Sequence, residues 1–144
     1  LFMKKKLSFT ANTIHFMVLS IISTNYITIL TNKLEWMKAS EDITSFISLL
    51  INRECILPLV GVIMVNGYLN YRRTRDKMVC FVCLLFFISV LDVLHVHFHS
   101  LSYPEWSLLN TVVVNGVYLL FCIWFGKGLY YFQKKEEGSN GQNL

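Results

Sequence analysis

Apolar residues fall into four long runs, at about 9–30, 47–71, 78–99 and 108–132, separated by short polar segments that hold most of the charge. A hydrocarbon core about 30 Å thick takes roughly 20 residues of helix at about 1.5 Å per residue. Each run is near that length. The pattern predicts an all-α membrane protein, a four-transmembrane-helix antiparallel bundle occupying residues 1–135 as one domain, with 136–144 as a disordered cytoplasmic tail.

The four runs differ in what they carry. In the first, Thr13, Ser20, Thr24 and Thr28 share one face at about 100° per residue. Small hydroxyl residues on one stripe predict close packing against other helices, with a water-lined path as the alternative. Lys4, Lys5 and Lys6 precede this run like the start of a signal peptide, but no small-residue cleavage site follows before Lys33 and Glu35, so a retained first span is expected. A leucine at position 1 fits a non-AUG start codon and hence a bacterial source.

The second run is over-long. Ser40 followed by Glu41 and Asp42 predicts a helix start, with Ser40 as cap and two acids at the positive end of the dipole, and the helix then extends to about Tyr71. Pro58 lies inside it and is expected to kink it. In the third run only Met78 to Leu91 is continuously apolar, so it spans a membrane only by taking Asp92, His95 and His97 inward. The fourth, Leu108 to Phe132, is an ordinary span that ends in Lys134 and Lys135.

Composition agrees with this pattern and charge orients it. Hydrophobic residues are 54% of the 144 and charged residues only 15%, against about 25% charged in soluble domains. The formal net charge of +4 does not point to nucleic acid, because the basic residues sit at the ends of apolar runs and form no separate stripe. Lys4, Lys5, Lys6, then Arg72, Arg73, Arg75 and Lys77, then Lys134 and Lys135 fall on one side; Lys33 and Lys38 fall on the other beside Glu35, Glu41 and Asp42. The more positive side is expected to be cytoplasmic, which gives an N-in/C-in protein of the cell membrane. Aromatic belts match: Tyr68, Tyr71, Tyr130 and Tyr131 on the inner side, Trp36, Tyr103 and Trp106 on the outer.

One polar constellation has chemical potential. Asp92, His95 and His99 are spaced by three and four, which places them on one helical face with His97 nearly opposite. Two imidazoles and a carboxylate suit zinc or another divalent metal. Counting helical rise from the inner basic loop puts Glu54 and His95 both about 27 Å away, so Glu54 is a candidate fourth ligand or proton acceptor. Asn110 and Asn115 are expected to complete an outer polar layer. The competing reading is structural: the histidines reach headgroups and water, while Asp92 pairs with Arg53 across helices or is held neutral.

Other motifs add little. Cys80 and Cys83 form a C-x-x-C near the cytoplasmic side and read as reduced core cysteines, and no disulfide is required with Cys55 or Cys122. Gly61, Gly67, Gly116, Gly126 and Gly128 permit close helix approach without forming G-x-x-x-G. No phosphate loop, nucleophile elbow, nucleotide fingerprint or internal repeat occurs. The chain is therefore expected to be a non-enzymatic accessory, regulatory or immunity-like protein. It would act in the lipid bilayer through helix packing with a membrane-protein partner or as a homo-oligomer. The alternatives are a metal-binding protein or small metal-dependent enzyme at the outer face through Asp92, His95, His99 and Glu54, and an oligomeric transporter or channel that uses an intramembrane carboxylate.

Overall fold

The computed structural model of the protein describes residues 6–40, 42–102 and 106–140. Expectations that rest on Lys4, Lys5, Glu41, Tyr103, Pro104 and Glu105 lie outside them. The architecture is helical: α1 is Phe9–Thr28, α2 Ile43–Ile51, α3 Leu57–Asn70, α4 Thr74–His97 and α5 Leu108–Asn140. A π-helical segment, Ile29–Lys33, prolongs α1, and a second, Asn52–Ile56, joins α2 to α3. Among the described residues, four continuous stretches are long and apolar enough to cross a membrane: Phe9–Lys33, Ile43–Asn70, Thr74–His97 and Leu108–Glu136.

Two helix ends differ from the sequence reading. The cap of α2 is Asp42 and not Ser40: the Asp42 carboxylate accepts the Ser45 amide at 2.9 Å, while the Ser40 hydroxyl accepts the Asp42 amide at 3.2 Å. The Ser45 amide bond also holds the Asp42 carboxyl below the usual carboxylate range. At the other end of the chain, α5 continues through Asn140 into the expected disordered tail, whose remaining residues, 141–144, lie outside the described ones. Lys134, Lys135 and Glu136 are good helix formers, and extending a formed helix adds a backbone bond per residue.

The helices are tied at both ends. Beyond α1, β1 (Lys38–Ala39) pairs antiparallel with β2 (Leu101–Ser102) beyond α4, in the register Lys38 to Ser102 and Ala39 to Leu101. The Trp36 and Trp106 rings stack beside this ladder with centroids 5.6 Å apart, and Leu30, Met37, Leu49 and Leu101 form a small core there. At the other end, the Leu7 and Lys6 amides donate to Asn66 Oδ1 on α3 and the Ser8 amide donates to Gln133 Oε1 on α5. Asn66 in turn donates to Asn12 Oδ1 at 2.7 Å, so this one amide stitches the start of α1 to α3.

The main core is built by α3, α4 and α5 from Leu57, Val60, Met64, Ile88, Leu119 and Ile123. Helices α3 and α5 pack on each other and on both outer helices, with α1 on one flank and α4 on the other. Two glycines make this approach possible. A Cβ at Gly126 would collide with Val65, and one at Gly61 would collide with Leu19 and lie 2.9 Å from Cys122 Sγ. Gly116 and Gly128, by contrast, have no neighbour within 4 Å of a built Cβ, so the expected close contact does not occur there.

The buried face of α1 is not the hydroxyl stripe, although two members of that stripe, Ser20 and Thr24, do hydrogen-bond across to Glu54. Its buried residues are Ala11, His15, Leu19 and Ser23, spaced by four, whereas Thr13, Thr24 and Thr28 are exposed. His15 is fully buried, tilted against Phe125 at 5.6 Å.

Candidate functional site

The Pro58 ring has no N–H, so in an α-helical turn the carbonyl of Glu54 loses its donor. The chain resolves this in two ways. It widens to the π-helical segment Asn52–Ile56, in which the Leu57 amide reaches back to the Asn52 carbonyl, and Ser20 on α1 donates its hydroxyl to the Glu54 carbonyl at 3.1 Å. A π-segment inserts an extra residue and re-aims the side chains around it. Here it buries Asn52 and Arg53.

Arg53 is thereby aimed at α4. Its Nη2 donates to Asp92 Oδ1 at 2.9 Å, and the two side chains are only 4% and 1% exposed. Asn115 on α5 donates its Nδ2 to Asp92 Oδ2 at 2.7 Å. Both carboxylate oxygens are thus occupied by donors from two other helices. An ion pair this dry needs such additional bonds, because desolvation otherwise exceeds the attraction. Of α4 only Ile88 and Asp92, one turn apart, are buried, so this triad is the main polar attachment of that helix to the rest.

The expected metal ligands are not brought together. Asp92 is committed to Arg53 and Asn115. His95, half-buried, lines a cleft of about 620 Å³ between α2 and α4 with Asn52, Leu94 and Ser100. His99 is outside the helix, with φ of 55°. Its amide donates to the Val96 carbonyl at 3.1 Å and the Ser100 amide to the His95 carbonyl at 2.9 Å. This is a Schellman cap with histidine in the left-handed position that glycine usually takes. A helical face that includes His99 therefore does not exist.

Glu54 faces the opposite direction, toward α1. Its carboxylate accepts the Thr24 hydroxyl, and it lines a separate cleft of about 540 Å³ with Thr28, Lys38 and Leu50. Among the described residues, no three His, Cys, Asp or Glu side chains are arranged to hold a metal ion. Asn115 belongs to the polar layer as expected, whereas Asn110 is exposed at the start of α5. His97 is exposed beside Phe98, and the four cysteines are free thiols.

Sequence reasoning missed His15 and Ser23 as interior groups. Their nitrogen and oxygen atoms have no hydrogen-bond partner among the described residues, nor do Arg53 Nε and the Tyr118 hydroxyl. Ser23, Arg53, Asn115 and Tyr118 line one apolar cavity of about 240 Å³ between α1, α3 and α5. The four-residue spacing of Ala11, His15, Leu19 and Ser23 was the available signal.

Comparison with protein-family models, with curated proteins and with solved structures finds no match for this chain.

Proposed function

We propose that this chain is a four-span integral membrane protein, an antiparallel bundle with both termini cytoplasmic. In this reading it is non-enzymatic, an accessory, regulatory or immunity-like protein that acts through helix packing with a membrane-protein partner or a second copy. The observation that carries the reading is the contrast between the two sides of α4. Inward, Asp92 is buried and engaged by Arg53 and Asn115, one donor to each carboxylate oxygen, as a structural tie between helices would be. Outward, α4 presents Val79, Val82, Phe86, Val90 and Val93, a continuous apolar face that water would not tolerate but lipid or another helix would.

The orientation is supported by charge. Arg72, Arg73, Arg75 and Lys77 precede and open α4 at the end where the start of α1 meets α3 and α5, and Lys134 and Lys135 follow on α5. The positive-inside rule assigns that end to the cytoplasm.

Photocrosslinking tests the packing role. A photoreactive residue placed at Phe86 or Val90 in cells should give a discrete protein adduct, to a partner or to a second copy, while one at Trp124 on α5 serves as the comparison. Adducts to lipid alone from every α4 position would refute the packing role.

A further inference from the structure

The cytoplasmic-side end of the bundle holds a second feature, which shares only Val79 with the apolar face assigned to packing. The residues that follow α3 and the start of α4 line an open groove of about 600 Å³, with a polar mouth of Tyr71, Arg73, Arg75 and the carboxylate-bearing Asp76, and an apolar floor of Val79, Cys83 and Leu84. Among the described residues the only ion pair within 4.0 Å is Arg53 with Asp92, so neither arginine at the mouth is matched by a carboxylate. Asp76 is the single acid beside four cations, Arg72, Arg73, Arg75 and Lys77. Next to the groove, Lys77 from α4 and Lys127 from α5 each lie 4.5 Å from the centre of the Tyr68 ring, two ammonium groups drawn to one aromatic side chain.

Such a groove has two chemical halves. The guanidinium forks match phosphate oxygens with planar, paired donors. The floor continues directly into the outward apolar side of α4, where Met78, Val79 and Val82 are each more than half uncovered, at 64%, 55% and 57%. A free phosphate would use only the mouth, and a nucleic acid would leave the floor wet. We propose that this groove is a binding site for one anionic glycerophospholipid, with its phosphate held by Arg73 and Arg75 and an acyl chain laid along Val79, Cys83 and Leu84.

The site rests on the membrane reading above, and its test separates the two. Full-length protein is reconstituted in vesicles of equal parts phosphatidylglycerol and phosphatidylcholine, extracted into detergent, and the lipid that remains bound is quantified by native mass spectrometry. Phosphatidylglycerol should be retained in clear preference. Arg73→Gln with Arg75→Gln should reduce that preference by about fivefold per arginine. Lys134→Gln with Lys135→Gln removes the same charge from elsewhere on that side and should leave it intact. Arg73→Lys with Arg75→Lys keeps the charge without the planar fork and should retain more of the lipid than the glutamine pair but less than the native chain, which guards against a fold defect in the glutamine pair. Excess inorganic phosphate should not displace the lipid. Equal retention of both lipids, or an equal loss in both glutamine pairs, overturns the site while the membrane reading stands. Recovery of the chain from the soluble fraction overturns both.

Discussion

The interior of this protein is decided by Asp92, a carboxylate that would be intolerable alone. With Arg53 and Asn115 occupying both its oxygens it becomes an anchor for α4. Removing one partner strands the other charge, so Asp92→Ala is expected to destabilise by about 3 to 5 kcal/mol. The triple substitution Arg53→Met, Asp92→Leu and Asn115→Leu leaves neither a buried charge nor a stranded amide, and should be close to neutral by the same physics. Thermal unfolding of both variants in detergent checks the pair; equal loss in the two would mean that the triad is not a closed structural unit. His99 gives a second residue-scale expectation. Its left-handed backbone is strained for a side chain, so His99→Gly should raise stability by about 1 kcal/mol. A fall in stability would mean that the imidazole has a role which its exposed position does not reveal. The sequence spacing made His99 look like a partner of His95 because it assumed that the helix continued; the helix stops one residue earlier, at the Phe98 cap.

At the scale of elements, Pro58, the π-helical segment and Ser20 act together. Ser20→Ala would leave the Glu54 carbonyl without its hydroxyl donor and is expected to destabilise by about 1 kcal/mol, measured as a lower midpoint of thermal unfolding. No change would mean that the carbonyl is satisfied within its own helix. The start of α2 supplies a pH dependence. Because the Ser45 amide depresses the Asp42 carboxyl, the contribution of this cap is present above the ordinary carboxylate range and is lost as pH falls through the lowered folded value. Asp42→Asn caps without titrating, so it should weaken the acid sensitivity of unfolding while changing little near neutral pH. An unchanged acid limb would place that sensitivity elsewhere. The four long apolar helices were legible in the sequence because long apolar runs have few other uses, and the disturbance at Pro58 was legible because proline acts locally. The burying of Arg53 was legible only as one of two readings of Asp92. What could not be read was the direction in which α1 faces. Its hydroxyl stripe and its Ala11, His15, Leu19 and Ser23 stripe are both regular, and it is the second that includes Leu19, which the absence of a Cβ at Gly61 lets approach α3 closely.

For the whole molecule, the arrangement is a pair of central helices, α3 and α5, flanked by α1 and α4. The two-residue ladder between β1 and β2 closes one end, and Asn66 with Gln133 closes the other. Phe86, Leu109 and Trp124 are uncovered to 70%, 71% and 71%, which only a surrounding of lipid or protein would stabilise. The proposed four-span reading puts ladder and basic groove on opposite sides of one membrane. The direct measurement is thiol labelling of single-cysteine variants with a membrane-impermeant maleimide, in a background where Cys55, Cys80, Cys83 and Cys122 are replaced by alanine. Lys38→Cys, in the ladder, should label in intact cells, while Arg75→Cys and Lys135→Cys should label only after permeabilisation. Labelling of all three in intact cells, or the reverse order, would contradict a four-span protein with both ends inside.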